Sequence, residues 1–177
     1  MRRFSLWRLL LDGEIEACKR LLNNVPEPEQ LLDLGTGQGT VQRLFNGECP
    51  VVGLDVCQAM LRRARTHAIL PVQADTVQLP FHADVFDGVT AMGLSEYIAD
   101  EGAFFDAVAP VLRSGGWLLY TLSPPSIWTG LRWGLGHRLW ARRPRQSIAV
   151  AVAHGFECID RSATLMQAQL LFRLRRR

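Results

Sequence analysis

The sequence has only four cysteines, no clustered histidines and no long apolar segment, and each of these absences excludes a class of protein. The cysteines form no C-x-x-C pair, which argues against a zinc site and against a disulfide framework. No stretch has the length and low charge that an export signal or a membrane span requires. We therefore expect a cytoplasmic protein that has no metal site.

Length and composition predict one globular α/β domain. The chain has 177 residues, of which 48% are hydrophobic and 21% are charged, so it can bury a sizeable core but not fold two domains. We divide residues 1–177 into an N-terminal helix (1–28), a core (30–122), a lid-like insertion (123–146) and a C-terminal helix with a strand pair (147–177).

Charge is distributed unevenly along the chain. Residues 1–106 carry 9 Lys or Arg against 15 Asp or Glu, whereas residues 107–177 carry 11 against 2. The net charges of the two parts are therefore −6 and +9, which sum to the +3 of the whole chain. This polarity predicts that the C-terminal part attracts anions.

A glycine-rich loop follows the first apolar run of the core. Residues 31–40 read LLDLGTGQGT, with Gly35, Gly37 and Gly39 at every second position. A glycine backbone can adopt positive φ and lets a ligand approach closely. The spacing is G-x-G-x-G rather than the G-x-G-x-x-G of dinucleotide-binding loops, which argues against NAD or FAD. Asp33, at the end of the predicted strand, favours a cationic ligand.

Two further acids end predicted strands. The apolar run 50–54 stops at Asp55, about twenty residues after the glycine loop, where a carboxylate can accept hydrogen bonds from ribose hydroxyls. The run 69–73 is closed by Asp75, and the connection to the next strand is too short for a full helix. Both acids also have a structural interpretation, Asp55 as a helix N-cap and Asp75 as the cap of a turn.

Periodicity predicts the remaining elements. The apolar spacing indicates helices over 4–24, 41–45, 58–67, 103–112 and 147–154, and strands over 88–92, 117–122, 155–159 and 168–174. A tight glycine turn is predicted at 113–116, between the helix that ends at 112 and the strand that begins at 117.

Taken together, the glycine loop, the run A-D-x-x-x-L-P-F…F-D that begins at Ala74 and the glycine turn at 115–116 resemble the small-molecule branch of the class I S-adenosylmethionine-dependent methyltransferases. The resemblance implies a Rossmann-like, doubly wound sheet of about seven mostly parallel strands, with one antiparallel strand near the C-terminus and helices on both faces. It implies S-adenosylmethionine as cofactor and S-adenosylhomocysteine as product, with Asp75 on the adenine. The cofactor-binding residues that we predict are Asp33, Gly35, Thr36, Gly37, Gly39, Asp55, Val56, Met60, Ala74, Asp75, Thr76, Met92 and Gly93.

In the resembling family the residues after the fourth strand face the acceptor. Glu96 and Tyr97 occupy this place and are our candidates for catalytic residues, Tyr97 also for substrate binding. The insertion that follows contains Trp128, Trp133 and His137, which we predict to bind substrate. Its apolar surface is too large for a solvated helix, so it must be covered.

Several functional alternatives stay open at this point. The insertion reads as a lid over the acceptor, as a peripheral membrane contact through 126–145, or as a homodimer interface. The leading hypothesis is methyl transfer to a small or medium-sized acceptor that is anionic or hydrophobic. RNA methylation through the basic C-terminal part is a second possibility, because arginines bind phosphates. A third is a methyltransferase-like interaction module without activity.

Overall fold

A seven-stranded sheet forms the centre of the protein. The computed structural model describes residues 6–45, 49–64, 69–126, 130 and 139–175. The strands are β1 (Leu31–Leu34), β2 (Val51–Asp55), β3 (Ile69–Gln73), β4 (Phe86–Ala91), β5 (Leu112–Leu122), β6 (Phe156–Ala163) and β7 (Ala168–Leu174). The helices are α1 (Leu6–Leu22), α2 (Gln58–Ala64), α3 (Glu101–Val111) and α4 (Pro144–Ala153), with short 3₁₀ helices at Thr40–Arg43 and Ser95–Tyr97.

The strand order is β3-β2-β1-β4-β5-β7-β6. The pairs from β3 to β5 are all parallel, whereas β7 runs antiparallel to both β5 and β6. The antiparallel strand arises because β6 and β7 are joined by a tight turn, in which the Thr164 N–H donates to the Gln167 carbonyl over 2.8 Å. The predicted doubly wound sheet with one antiparallel strand is therefore confirmed.

Alternate residues of the sheet bury against helices on opposite faces. In β5, Leu118, Tyr120 and Leu122 belong to the core that includes residues of α3 and α4, and Trp117 and Leu119 belong to the core that includes residues of α1. All four residues of β1 are buried. A central parallel strand that is covered on both faces must be apolar along its length, which explains the continuous runs in the sequence.

The observed bounds differ from the predicted ones mainly at element ends. Helix α4 starts at Pro144 rather than at 147, because proline fits the first helical position, where no backbone donor is needed. The predicted helix 41–45 is a 3₁₀ helix, and β6 continues to Ala163 after a register shift at Cys158/Asp160. The part of the predicted helix 58–67 that lies beyond 64 falls outside the described residues.

The edge strand β3 connects to β4 without a helix. Residues 74–85 form turns and irregular structure, as the length of this connection predicted. Pro71 lies in the middle of β3, opposite Gly53 of β2, and Leu70 is 64% exposed. Among the described residues, no helix has the length and apolar character needed to cross a membrane.

Candidate active site

Three aspartates lie at the carboxyl ends of the adjacent strands β1, β2 and β3. They line two adjoining cavities of about 790 and 410 Å³, which share Gly35, Gly37 and Met60. Asp55 and Asp75 line the larger cavity, and Asp33 lines the smaller one. The sheet therefore brings together the acids that were predicted to hold one ligand.

The glycine loop is held against β2 by its own backbone. The Thr36 N–H donates to the Leu54 carbonyl over 3.0 Å, and the Gly37 N–H donates to Asp55 Oδ2 over 3.0 Å. Gly35 and Gly37 have φ of +67° and +52°, in the left-handed region that favours glycine. A Cβ on Gly37 would meet no heavy atom closer than 3.8 Å, so the space beside this backbone is open.

Gly39 plays a different part from the other two glycines. Its φ is +82°, and a Cβ on it would lie 3.0 Å from Ile69 Cδ1 and 3.7 Å from the Ala64 Cβ. It lines neither cavity, and neither does Ala74. The structure thus places Gly39, which the sequence predicted to contact the cofactor, where α2 and β3 pack against the loop.

Asp33 is a buried carboxyl at the bottom of the smaller cavity. It is 3% exposed, and its Oδ1 accepts a hydrogen bond of 2.6 Å from the Thr90 hydroxyl. Burial raises the pKa of Asp33 to about 6, although the hydrogen bond from Thr90 acts to lower it. A cation bound in the cavity would favour the charged form of this group.

Asp55 and Asp75 each accept a hydrogen bond from the backbone two residues further on, and both line the larger cavity. The structural interpretation of Asp55 as a helix N-cap is wrong, because α2 begins at Gln58 and Cys57, not Asp55, precedes it. Asp55 Oδ1 accepts from the Cys57 N–H over 2.8 Å, and Asp75 Oδ1 accepts from the Val77 N–H over 3.1 Å. A carboxylate oxygen has two lone pairs, so each of these oxygens retains acceptor capacity. These turn bonds fix both carboxylates at the cavity wall, and for Asp75 the predicted turn cap is compatible with ligand binding.

The tip of β4 separates the two cavities from β5. Met92 lines the smaller cavity and Gly93 the larger one. The Gly93 N–H donates to the Thr121 hydroxyl over 2.7 Å, which ties this tip to β5. A Cβ on Gly93 would meet nothing within 4 Å, so this backbone also borders open space.

The two candidates for catalytic residues have different surroundings. Tyr97 lines the larger cavity and is 59% exposed. Glu96 is 5% exposed, accepts a 2.9 Å hydrogen bond from the Ser123 hydroxyl and lines neither cavity. Burial raises the pKa of Glu14 in α1, and the charge of Glu96 raises it further. The structure thus brings Tyr97, but not the Glu96 side chain, to the cavity wall.

A strap formed by residues 139–143 crosses the tips of β4 and β5. The Trp140 N–H donates to the Glu96 carbonyl over 2.7 Å, and the Arg142 N–H donates to the Ser123 carbonyl over 3.3 Å. The strap is the described end of the predicted lid. The predicted substrate-binding residues Trp128, Trp133 and His137 lie outside the described residues.

Arg142 anchors the strap to the loop that forms one wall of the larger cavity. Its guanidinium donates to the carbonyls of Ser95 at 2.5 Å, of Ala99 at 3.1 Å and of Ile98. The same group pairs with Glu101 at 3.3 Å, and the two side chains are 13% and 7% exposed. Because Tyr97, Ile98 and Ala99 line the cavity, Arg142 holds this wall in place. Local sequence contains no signal for such a contact across more than forty residues.

Several lining residues were not predicted from the sequence. They are Leu11, Gln38, Thr40, Val41, Cys57, Val77, Leu94, Ile98, Ala99, Asp100 and Ala103. Leu11 had a signal in the apolar spacing that predicted the helix over 4–24. Asp100 had a signal too, as the N-cap of α3, where its side chain accepts from the Ala103 N–H.

The charge of the cavity walls restricts the ligand. The described lining residues of the two cavities include four aspartates and no lysine, arginine or histidine. A ligand that carries positive charge and hydroxyl groups suits such walls, whereas a pyrophosphate does not. Val56, which is 71% exposed, supplies an apolar surface in the same cavity.

Comparison with known proteins identifies the family. Residues 32–120 match the family model described as a methyltransferase domain. The chain belongs to the class I S-adenosylmethionine-dependent methyltransferases. It is 34% identical over 108 residues to a demethylmenaquinone methyltransferase of Thermus thermophilus, covering 55% of this chain and 49% of that protein. It is 29% identical over 105 residues to a ubiquinone biosynthesis O-methyltransferase of Albidiferax ferrireducens, covering 52% and 40%.

The chain spans about half the length, or less, of these relatives. Its fold is shared with a Haloferax volcanii methyltransferase that was solved in complex with the Trm112 methyltransferase activator. The TM-score is 0.78 at 17% identity, over 95% of this chain and 93% of that one. At this identity the likeness shows the fold alone.

The cavity residues fit the cofactor that the family implies. The bare backbone at Gly37 and Gly93 leaves room that a Cβ would fill. The carboxylates of Asp55 and Asp75 suit the hydroxyl and amino groups of an adenosine, and Asp33 suits a positive charge. The described cavity residues therefore fit S-adenosylmethionine.

Proposed function

We propose that the protein transfers the methyl group of S-adenosylmethionine to a small or medium-sized hydrophobic acceptor. The observation that carries this proposal is the pair of joined cavities, whose described lining has four aspartates, an open glycine backbone and no basic residue. Quinol-type rings with a hydroxyl group are the first acceptors to test, because two relatives are named for steps in menaquinone and ubiquinone synthesis.

In this mechanism the protein mainly binds and aligns. S-adenosylmethionine supplies an activated sulfonium methyl group that an acceptor displaces in line. Asp55 and Asp75 would hold the adenosine through hydrogen bonds, and Asp33 would hold the cationic end. Correct alignment alone can contribute about 7 kcal/mol or more to lowering the barrier.

Tyr97 and Glu96 have distinct proposed roles. Tyr97 shapes the acceptor space, because it is exposed at the cavity wall beside Gly93. Glu96 acts through Ser123, which it fixes at the tip of β5, and through its carbonyl, which holds the strap. A general base is needed only for an acceptor hydroxyl that is poorly ionised. Trp128, Trp133 and His137 remain predicted acceptor contacts.

Calorimetric titration tests cofactor binding directly. We expect saturable binding of S-adenosylmethionine and of S-adenosylhomocysteine by the wild-type protein. Asp55→Asn should weaken it by about tenfold or more, since hydrogen bonds to a charged group contribute about 1.5–3 kcal/mol. Asp160→Asn is the matched control, because Asp160 lies on β6 and bonds to Asn24. Absence of heat at millimolar cofactor would refute the proposal.

Radiolabelled cofactor then tests the acceptor. Transfer of a labelled methyl group to quinol analogues, and none to water-soluble amines, is expected. If cofactor binds but no acceptor is ever methylated, the inactive interaction module gains support. Methylation of RNA in place of quinols would favour the alternative that uses the basic C-terminal part. Cytoplasmic location, homodimer formation and membrane contact through 126–145 remain predictions of the sequence.

A further inference from the structure

A third cavity of about 730 Å³ lies where α4 begins, beside the ends of β6 and β7. Arg143, Arg145 and Arg161 line it, and Ala168 and Leu170 form a buried apolar floor. It shares no described lining residue with the two cofactor cavities, and no described acid lines it. We call it the arginine cavity.

The three arginines of this cavity are exposed, and none of them forms an ion pair with a described residue. In the part of the chain that the structure describes, arginine ion pairs are made by Arg43, Arg113 and Arg142, not by these three. Asp160 precedes Arg161, but the two residues face opposite sides of β6. Asp160 is paired with Leu171, in the core under α1, and Arg161 with Leu170, in the core under α3 and α4.

The partial positive charge at the start of α4 adds to the repulsion among these arginines. A helix N-terminus carries partial positive charge and is stabilised by acids, as at α3, which begins with Asp100 and Glu101. Helix α4 instead has Arg143 at its N-cap and Arg145 in its first turn, with no acid there. Two arginines at the start of α4 contradict the preference of helix N-termini for acids. This departure favours a functional site, because a bound anion would supply the missing negative charge.

We propose that the arginine cavity binds an organic phosphate that has an apolar portion. A guanidinium group can donate two parallel hydrogen bonds to two oxygens of one phosphate, and three arginines line this cavity. The apolar floor at Leu170 suits a hydrocarbon or ring attached to the phosphate. The volume is that of a site for a small organic ligand. Since the lining is separate from the cofactor cavities, this binding does not depend on methyl transfer.

Calorimetry of the full chain with octyl phosphate and with inorganic phosphate tests the site. We expect saturable binding, tighter for octyl phosphate, that weakens as salt is raised. The double variant Arg145→Gln/Arg161→Gln should bind at least about tenfold more weakly. Arg20→Gln/Arg62→Gln is the matched control, because it also removes two positive charges, and both arginines are exposed, on α1 and α2, and do not line the cavity. An equal loss in this control would mean that net charge alone attracts the ligand, and would overturn the proposal.

Two further measurements keep the result interpretable. Removal of like charges should leave the melting temperature of the ligand-free double variant unchanged or raised, so weaker binding cannot be attributed to misfolding. Saturating S-adenosylhomocysteine should leave the affinity for octyl phosphate unchanged, and competition between the two would overturn a separate site.

Vesicles identify the source of the phosphate. Binding to phosphatidylglycerol but not to phosphatidylcholine vesicles, lost in the double variant, would support the site and place its ligand on a membrane. Binding of soluble octyl phosphate without vesicle binding would support a free metabolite. Binding of neither probe would overturn the proposal.

Discussion

Replacement of Asp33 by asparagine should stabilise the ligand-free protein and at the same time weaken its binding of cofactor. Burial raises the pKa of this carboxyl from an ordinary value of 3.8 to about 6. One pH unit of displacement corresponds to about 1.4 kcal/mol, so ionising Asp33 in the folded protein costs about 3 kcal/mol at neutral pH. Asparagine avoids this cost, and its carbonyl oxygen can still accept the hydrogen bond from Thr90.

The pH dependence of the gain follows from the sign of the displacement. Asp33 loses its proton near pH 4 in the unfolded chain and near pH 6 in the folded protein. Between these values the folded state binds more protons, so wild-type stability falls as pH rises, and above pH 6 the loss is complete. Urea unfolding should therefore show a gain for Asp33→Asn that is about 1.5 kcal/mol larger at pH 7.5 than at pH 5.

Asp33→Asn should weaken cofactor binding although it stabilises the ligand-free protein. Below pH 6 the wild-type protein should bind S-adenosylmethionine progressively more weakly, because Asp33 must be charged to hold a cation, whereas the variant should bind weakly at every pH. Asp160→Asn, on β6 and outside both cavities, controls for the loss of one negative charge. If Asp33→Asn were less stable than wild type at pH 7.5, or its gain did not vary with pH, the reasoning from burial would be refuted.

Three further predictions concern the cavity and its wall. Cys57 is the one exposed cysteine of the four and lines the larger cavity, and burial raises the pKa of the other three thiols, so a thiol reagent should modify Cys57 first. Saturating S-adenosylhomocysteine should slow this labelling, and an unchanged rate would argue against the cavity as cofactor site. Gly37→Val should abolish cofactor binding in calorimetry. It should also lower the free energy of unfolding by about 1–2 kcal/mol, since the φ of Gly37 is +52°. Normal binding by this variant would contradict the proposal that the cofactor lies against the Gly37 backbone. Arg142→Met should lower the free energy of unfolding by about 3–5 kcal/mol, because the buried Glu101 would lose its cation and keep only the hydrogen bond from the Tyr120 hydroxyl. A loss below about 1 kcal/mol in urea titration would show that the pair is unimportant.

The acids of the site could be predicted from the sequence because each one ends an apolar run. Parallel strands that are buried on both faces read as continuous apolar segments, and the first polar residue after each marks the sheet edge where ligands bind. Asp55 follows this rule directly, Asp33 is the one polar residue of β1, and Asp75 comes two residues after Gln73, where β3 ends. The sequence could not reveal that Asp55 also receives the Gly37 N–H, since that bond depends on how the loop folds back.

Residues that act through distant contacts could not be predicted. Arg142 lies in a segment with many arginines, and only the fold shows that it is the one paired with Glu101 and bound to three loop carbonyls. Gly39 belongs to the same motif as Gly35 and Gly37, but the need for glycine at this position comes from packing against Ile69 and not from ligand contact. Glu96 stands next to Tyr97 in sequence, but a single turn of 3₁₀ helix sends their side chains to different surroundings.

Pro71 has a consequence for the association of this protein with other chains. An outer strand with an exposed leucine such as Leu70 would ordinarily invite another chain to add a strand and so begin an aggregate. Proline has no backbone N–H and is tolerated in a ladder where its nitrogen faces solvent. The free side of β3 therefore lacks a donor midway along its five residues, and the sheet resists growth at this border.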